Sequence, residues 1–82
     1  MKLKKSLAIS ETGFVFDPST GDSYTVNPIG LEIIQLLKVG KNLKSITKIM
    51  TQTYDVDHNT FERYYYDFLG MLKQMQLVTL DD

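Results

Sequence analysis

The chain has 82 residues, a formal net charge of −1 and no cysteine. Its length predicts a single domain over residues 1–82, with a small core and no room for a separate catalytic unit. The lack of cysteine excludes disulfides and thiolate chemistry and agrees with a cytoplasmic location, while the near-neutral charge counts against nucleic acid, whose phosphates require a basic surplus.

The N-terminal segment combines basic residues with a short apolar run. A signal peptide begins similarly, but this run ends within three residues and Glu11 and Asp17 follow, so we expect no export. No segment approaches the roughly 20 apolar residues of a membrane-spanning helix, so we expect no membrane association. Weak alternation of apolar residues predicts a first strand from Lys4 to Ile9.

A hairpin signal follows. Short runs of alternating apolar residues at 14–16 and 24–26 flank a cluster of turn residues at 17–22. Such a cluster supplies a fixed φ at proline, side-chain turn bonds and a positive φ at glycine. The pattern predicts two further strands, Phe14 to Asp17 and Asp22 to Val26, and therefore a three-stranded antiparallel sheet.

The last of these strands is expected to be half-buried. Tyr24 and Val26 share one of its faces, while Ser23 and Thr25 share the other. Such alternation is typical of an antiparallel sheet with one solvent-facing side.

The first helix is predicted from Pro28 to about Lys38. Asn27 is the N-cap, and proline suits the first helical position because its missing N–H would be unsatisfied there. Gly40 is placed to end the helix in the left-handed conformation. Gly30 lies within the apolar side of the helix, which indicates a close approach of another group to the backbone. That apolar side comprises Ile29, Ile33, Leu36 and Leu37.

Two more helices complete the chain. The second is predicted from about Leu43 to Thr53, and the third, capped by Asp57, from His58 to about Met75. The buried stripe of the second helix comprises Leu43, Ile46, Ile49 and Met50.

The third helix carries more apolar surface than one core contact requires. Its apolar residues spread over roughly 160° of arc. They are Phe61, Tyr64, Tyr65, Phe68, Leu69, Met71, Leu72 and Met75. Either all of them pack into the core, or Tyr64 and Met71, at one border of the arc, line a groove beside the third strand with Arg63 and Asp67 next to it.

No catalytic or metal site is predicted, and no cofactor is expected. His58 is the only histidine, and a surface or capping role is expected for it at a helix N-terminus. Asp17 and Asp22 bracket the turn, where carboxylates usually accept backbone hydrogen bonds. Asp81 and Asp82 are expected to be solvated. The one basic cluster is either a solvated surface or a patch for an acidic partner; it comprises Lys38, Lys41, Lys44 and Lys48.

The predicted order of elements defines an α+β fold of the winged helix-turn-helix type, with a three-stranded antiparallel sheet followed by three helices. By fold alone, the third helix would enter the major groove of DNA. However, it exposes Glu62 and Asp67 and few cationic groups, so its surface suits phosphates and base edges poorly.

The hairpin and first helix resemble the PqqD family, which is named for a small protein of pyrroloquinoline quinone biosynthesis. The pattern D-x-x-T-G, Y-x-L/V-N-x-x-G is present as Asp17, Thr20-Gly21, Tyr24, Val26-Asn27 and Gly30. Residues 54–57 and 68–72, and Leu77-Val78 at the end, are similar to later parts of that family. The chain departs from the family at Ile34, where a tryptophan is often seen.

The resemblance implies a non-catalytic peptide chaperone. Members of the family and related recognition domains bind the leader segment of a ribosomal precursor peptide as an added strand and present it to a tailoring enzyme. A radical S-adenosylmethionine enzyme is the first expected partner, and a protease or cyclase the next. The implied peptide-binding residues are Asp22, Ser23, Tyr24, Thr25 and Val26 on the edge strand, and Tyr64, Asp67, Phe68 and Met71 in the pocket wall.

Two other classes of function stay open. One is a winged-helix DNA-binding regulator, and the other is a structural domain that forms a homodimer through the same exposed edge. For strand addition, we expect proline at Ser23 and at Thr25 to have unequal effects, because only an outward-facing N–H can be lost without harm to the hairpin.

Overall fold

The computed structural model describes residues 2–79, with the backbone alone at Thr79; Asp81 and Asp82 lie outside the described residues. Within residues 2–79, five short strands and three helices follow one another. The strands are β1 (Lys2–Leu3), β2 (Ala8–Ile9), β3 (Phe14–Asp17), β4 (Asp22–Thr25) and β5 (Val78–Thr79), and the helices are α1 (Pro28–Lys38), α2 (Leu43–Thr53) and α3 (His58–Gln74).

The three-stranded antiparallel sheet followed by three helices is confirmed, with strand order β2-β3-β4. The predicted first strand, Lys4 to Ile9, is wrong in extent, because only Ala8–Ile9 pairs with β3. The N–H of Lys4 instead donates to the Leu77 carbonyl oxygen over 2.8 Å. The chain therefore turns between Lys4 and Leu7, and its first residues pair with the C-terminal segment.

The structure contains a small second sheet that was not predicted, in which β1 pairs with β5 in antiparallel register. Leu3 lies opposite Val78, and both side chains are buried. A strand of two residues has no periodicity, so no local pattern predicts it. This pairing fixes both ends of the described chain to one place.

Each helix begins at its predicted residue, and a side-chain oxygen caps each start. Asn27 accepts from the Gly30 N–H over 2.7 Å, Asn42 from the Ser45 N–H over 2.9 Å, and Asp57 from the Thr60 N–H over 2.9 Å. Such caps satisfy N–H groups that have no partner within the helix.

Gly40 ends α1 as predicted, with a φ of +88°. Its N–H donates to the Leu37 carbonyl oxygen, and the Lys41 N–H donates to the Leu36 carbonyl oxygen, each over 3.0 Å. These two bonds are those of a Schellman motif.

The core lies between the inner face of the sheet and the three helices. Predicted members Ile33, Ile46 and Met50 are almost fully buried. Ile34 and Thr47 are equally buried, although neither belonged to a predicted stripe. No helix within residues 2–79 is long and apolar enough to cross a membrane.

The apolar residues of α3 divide into two groups. Five of the eight are buried, namely Phe61, Tyr65, Phe68, Leu69 and Leu72. Tyr64 is half-buried and Met71 is 41% exposed. The core therefore covers only part of the arc, which agrees with the groove hypothesis for Tyr64 and Met71.

Gly30 permits the predicted close approach. A Cβ atom at this position would lie 2.9 Å from Cε1 of Phe68 and 3.2 Å from Oδ1 of Asn27. Because the first distance is shorter than real Cβ contacts, the Phe68 ring occupies space that only glycine leaves open. Gly70, in the exposed part of α3, has no such neighbour within 4 Å.

These two glycines form a matched pair. Gly70→Ala is expected to raise the free energy of unfolding by about 0.5–1 kcal/mol, because alanine is the better helix former. Gly30→Ala is expected to lose this gain or to destabilise the fold, because the Phe68 ring must move. Urea denaturation of the two variants measures the difference, and equal stabilisation by both would contradict the tight contact.

Candidate functional site

The outer edge of β4 carries unpaired backbone groups. Within the described residues no strand lies beyond β4. The Val26 N–H donates to the Gly13 carbonyl oxygen over 2.8 Å, and the register places Tyr24 opposite Val15. Since bonded residues alternate along an antiparallel strand, Tyr24 bonds towards β3, whereas the N–H and C=O groups of Ser23 and Thr25 point away from the sheet.

This register corrects one expectation. Ser23 and Thr25 are two residues apart, so both N–H groups face outward, and the expected unequal effect of proline at these two positions is wrong. The informative comparison is with Tyr24, whose N–H faces β3.

A groove of about 370 Å³ lies between the end of β4 and α3. Its lining brings together six of the predicted site residues, and it also includes Asn27. The lining residues are Thr25, Val26, Asn27, Tyr64, Asp67, Phe68 and Met71. Asp22, Ser23 and Tyr24 lie earlier in β4 and do not line the groove, and neither does Arg63.

The groove has an aromatic base and a flexible wall. The rings of Tyr64 and Phe68 are stacked, with centroids 6.2 Å apart and an interplanar angle of 6°. Phe68 is only 7% exposed, whereas Met71 presents an adaptable thioether at the surface. Asp67 is exposed and supplies the one charged group among the lining residues that the structure describes. The groove therefore suits an apolar side chain with a polar group at its margin.

Asn27 is the lining residue that the sequence analysis missed, because it was interpreted only as a helix cap. Its Oδ1 accepts from the Gly30 N–H and also from the Tyr64 hydroxyl, over 3.3 Å. The position of Asn27, directly after the predicted edge strand Asp22 to Val26, was the available signal. One side chain thus connects the end of β4, the start of α1 and the wall of the groove.

The turn before β4 is fixed by Asp17, which is 1% exposed. Its carboxylate accepts from the Lys4 ammonium over 2.7 Å, and from the hydroxyl and N–H of Ser19 over 2.7 and 3.0 Å. The hydrogen bond from Lys4, followed by that from Ser19, lowers the pKa of Asp17 below its usual value. Asp17 thus has a structural role in the hairpin.

Other predicted candidates lie at the surface. His58 is exposed, and its Nε2 lies 2.9 Å from Oε2 of Glu62. Residues 2–79 contain no group of acids and histidines that could hold a metal ion. The four lysines of the basic cluster are all exposed.

The solvent-facing side of the sheet is more apolar than its pattern indicated. Phe14 and Phe16 are 45% and 37% exposed. They lie opposite Thr25 and Ser23 in the register. This side therefore presents two aromatic rings next to the free edge.

A free strand edge beside an apolar groove, carried by a three-stranded sheet and three helices, defines a winged-helix-like domain suited to bind an extended peptide. Residues 13–78 match the family described as coenzyme PQQ synthesis protein D (PqqD). The match spans most of the sequence, so the chain belongs to the PqqD family.

A solved structure supports the same relation. The chain is similar to TbiB1, solved in complex with the TbiA(beta) leader peptide, with 27% sequence identity and a TM-score of 0.89 over 100% of both chains. No curated protein matches the chain significantly.

The two asparagine caps allow a test of the Asn27 contacts. Asn27→Ala and Asn42→Ala are each expected to lower the free energy of unfolding by about 1 kcal/mol through loss of the cap. Only Asn27→Ala removes the acceptor of the Tyr64 hydroxyl, so only this variant should shift the NMR signals of Tyr64 and Met71. Similar shifts in both variants would show that Asn27 does not position the groove wall.

Proposed function

We propose that the chain binds the leader segment of a ribosomal precursor peptide as an additional antiparallel strand on β4. The observation that carries this proposal is the free edge at Ser23 and Thr25, directly beside the groove. Membership of the PqqD family and the likeness to TbiB1, solved with a leader peptide, support it.

Backbone hydrogen bonds alone would not give a micromolar affinity for the leader. The outward N–H and C=O groups of Ser23 and Thr25 offer four hydrogen bonds, each contributing about 0.5–1.5 kcal/mol net. Their sum, about 2–6 kcal/mol, falls short of the roughly 8 kcal/mol of a micromolar complex. An apolar side chain buried in the groove adds about 1.5–3 kcal/mol. The leader is therefore expected to contribute at least one large apolar residue.

The pleat of the added strand determines which leader residues matter. Successive side chains of a strand point to opposite sides of the sheet. One set would enter the groove, and the other would lie beside Ser23 and Thr25 on the solvent-facing side, one strand away from Phe14 and Phe16. Selectivity would therefore depend on alternate residues of the leader, as in other cases of strand addition.

The chain itself is proposed to be non-catalytic and to need no cofactor. A leader-bound chaperone requires an enzyme that modifies the precursor, and the tailoring enzyme is proposed as the second partner. A radical S-adenosylmethionine enzyme is the first candidate, and a protease or cyclase the next.

The two alternative functions have less support. A DNA-binding role would require cationic groups along the exposed part of α3, where Glu62 and Asp67 lie beside Arg63. Self-association through β4 would use the same edge and would therefore compete with the leader. Gel filtration with and without the peptide separates self-association from peptide binding.

Proline variants test the edge. Ser23→Pro and Thr25→Pro are both expected to retain the hairpin but to lose peptide binding, because each removes an outward N–H. Tyr24→Pro is expected to damage the hairpin itself. The measurement is an NMR titration of each folded variant with the precursor peptide.

Alanine variants test the groove in the same titration. Tyr64→Ala and Met71→Ala are each expected to lower the affinity for the peptide by about tenfold, which corresponds to about 1.4 kcal/mol of binding free energy. Tyr66→Ala, an exposed tyrosine of the same helix outside the groove, is the matched control. Chemical-shift changes confined to the lysines near Lys41, with β4 silent, would contradict strand addition.

A further inference from the structure

A second surface, here called the lysine face, surrounds two adjoining cavities of about 330 and 410 Å³. The cavities share Lys2, Leu37 and Gly40. Among residues 2–79, their linings together include five lysines and no aspartate or glutamate. These lysines are Lys2, Lys4, Lys5, Lys38 and Lys41.

This concentration of charge contrasts with the composition of the chain, which has nine basic and ten acidic residues. The Lys4 ammonium is paired with Asp17, so its charge is largely compensated. Lys5, Lys38 and Lys41 are exposed, and no ion pair of theirs occurs among residues 2–79. The lysine face is therefore a positive region on a nearly neutral domain.

Apolar groups lie among these lysines. Val39 is 69% exposed at the end of α1, and Tyr66 is 58% exposed at the margin of the larger cavity. The Schellman motif at this turn depends on the left-handed Gly40 and on backbone bonds, so it does not require an apolar residue at position 39. Val39 therefore offers an apolar side chain to solvent at the turn that carries Lys38 and Lys41.

The lysine face and the groove lie on different sides of α3. The groove is lined by Tyr64 and Met71, whereas the lysine face includes Tyr66 and Leu69. At about 100° per residue, Tyr66 lies about 160° from Tyr64 by the shorter arc. Both surfaces can therefore be occupied at the same time.

We propose that the lysine face binds an acidic segment of the tailoring enzyme, with an apolar side chain of that segment seated in the cavity beside Leu37 and Leu43. The proposal rests on the proposed function, because it assumes that an enzyme meets the leader-bound domain. Charge complementarity argues for the acidic segment, and the cavity lined by Leu37 and Leu43 argues for its apolar residue.

Other anionic partners fit less well. A DNA-binding protein of ordinary affinity makes roughly six to ten phosphate contacts, more than these lysines can provide. The face also has no arginine, the residue best suited to bidentate phosphate bonds. Anionic lipid would attract the lysines but would not need the apolar cavity.

The test uses a short acetylated peptide of glutamates and leucines as the probe, in an NMR titration of the full chain. We expect shifts at residues 38–41 and Tyr66, with Ser23 and Thr25 unaffected. Replacing the glutamates with lysines, or the leucines with serines, should abolish or weaken these shifts. Equal shifts with the lysine peptide, or tighter binding of duplex DNA or phosphatidylglycerol vesicles than of the acidic peptide, would overturn the proposal.

Variants of equal charge change provide the control. The double variant Lys5→Glu/Lys41→Glu should bind the acidic peptide about fivefold or more weakly. Lys48→Glu/Lys73→Glu, which alters exposed lysines outside the face, should have little effect. An equal loss of affinity in both double variants would mean that binding depends only on the overall charge of the protein, and it would overturn the proposal. Titration with the precursor peptide, monitored at β4, tests the proposed function separately, because neither pair touches that edge.

Discussion

The connection from β4 to α1 is the constraint on which the rest of the site depends. Only Val26 separates Asn27 from the end of β4, and the side-chain oxygen of Asn27 accepts from both the Gly30 N–H and the Tyr64 hydroxyl. Opposite this cap, the Phe68 ring lies so close to Gly30 that a Cβ atom would not fit. These contacts set the distance between the free edge and α3, and therefore the width of the groove. A strand that is added to β4 would therefore lie next to a preformed groove wall.

This arrangement gives α3 two different surfaces. One side carries Tyr64 and Met71, which the core leaves accessible beside the edge of the sheet. The other carries Tyr66, next to the lysines at the α1–α2 turn. A small domain that is proposed to be non-catalytic can still act in a reaction sequence by bringing two macromolecules together. The groove and the lysine face would allow this without competition, because α3 separates them.

Much of this architecture follows from local sequence, and the predictions that failed did so for physical reasons. The helix boundaries were predicted because Pro28, Gly40 and Asp57 act through the backbone of their own neighbourhood. The β1–β5 pairing and the Lys4–Asp17 ion pair were not, because they join residues that are distant in sequence. Groove residues could be placed from the helical arc and the family resemblance together. The direction of the N–H groups on β4 could be determined only from the strand register, which the sequence does not specify.

Residue-resolved amide exchange of the chain, free and with its precursor peptide, tests the account most directly. In the free protein the Tyr24 amide should be protected by its position against β3, while the Ser23 and Thr25 amides exchange rapidly. With the peptide bound, strand addition predicts protection of Ser23 and Thr25 and little change at Tyr24. If peptide binding perturbs Tyr64 and Met71 while Ser23 and Thr25 still exchange rapidly, the peptide occupies the groove without joining the sheet, and the central claim is contradicted.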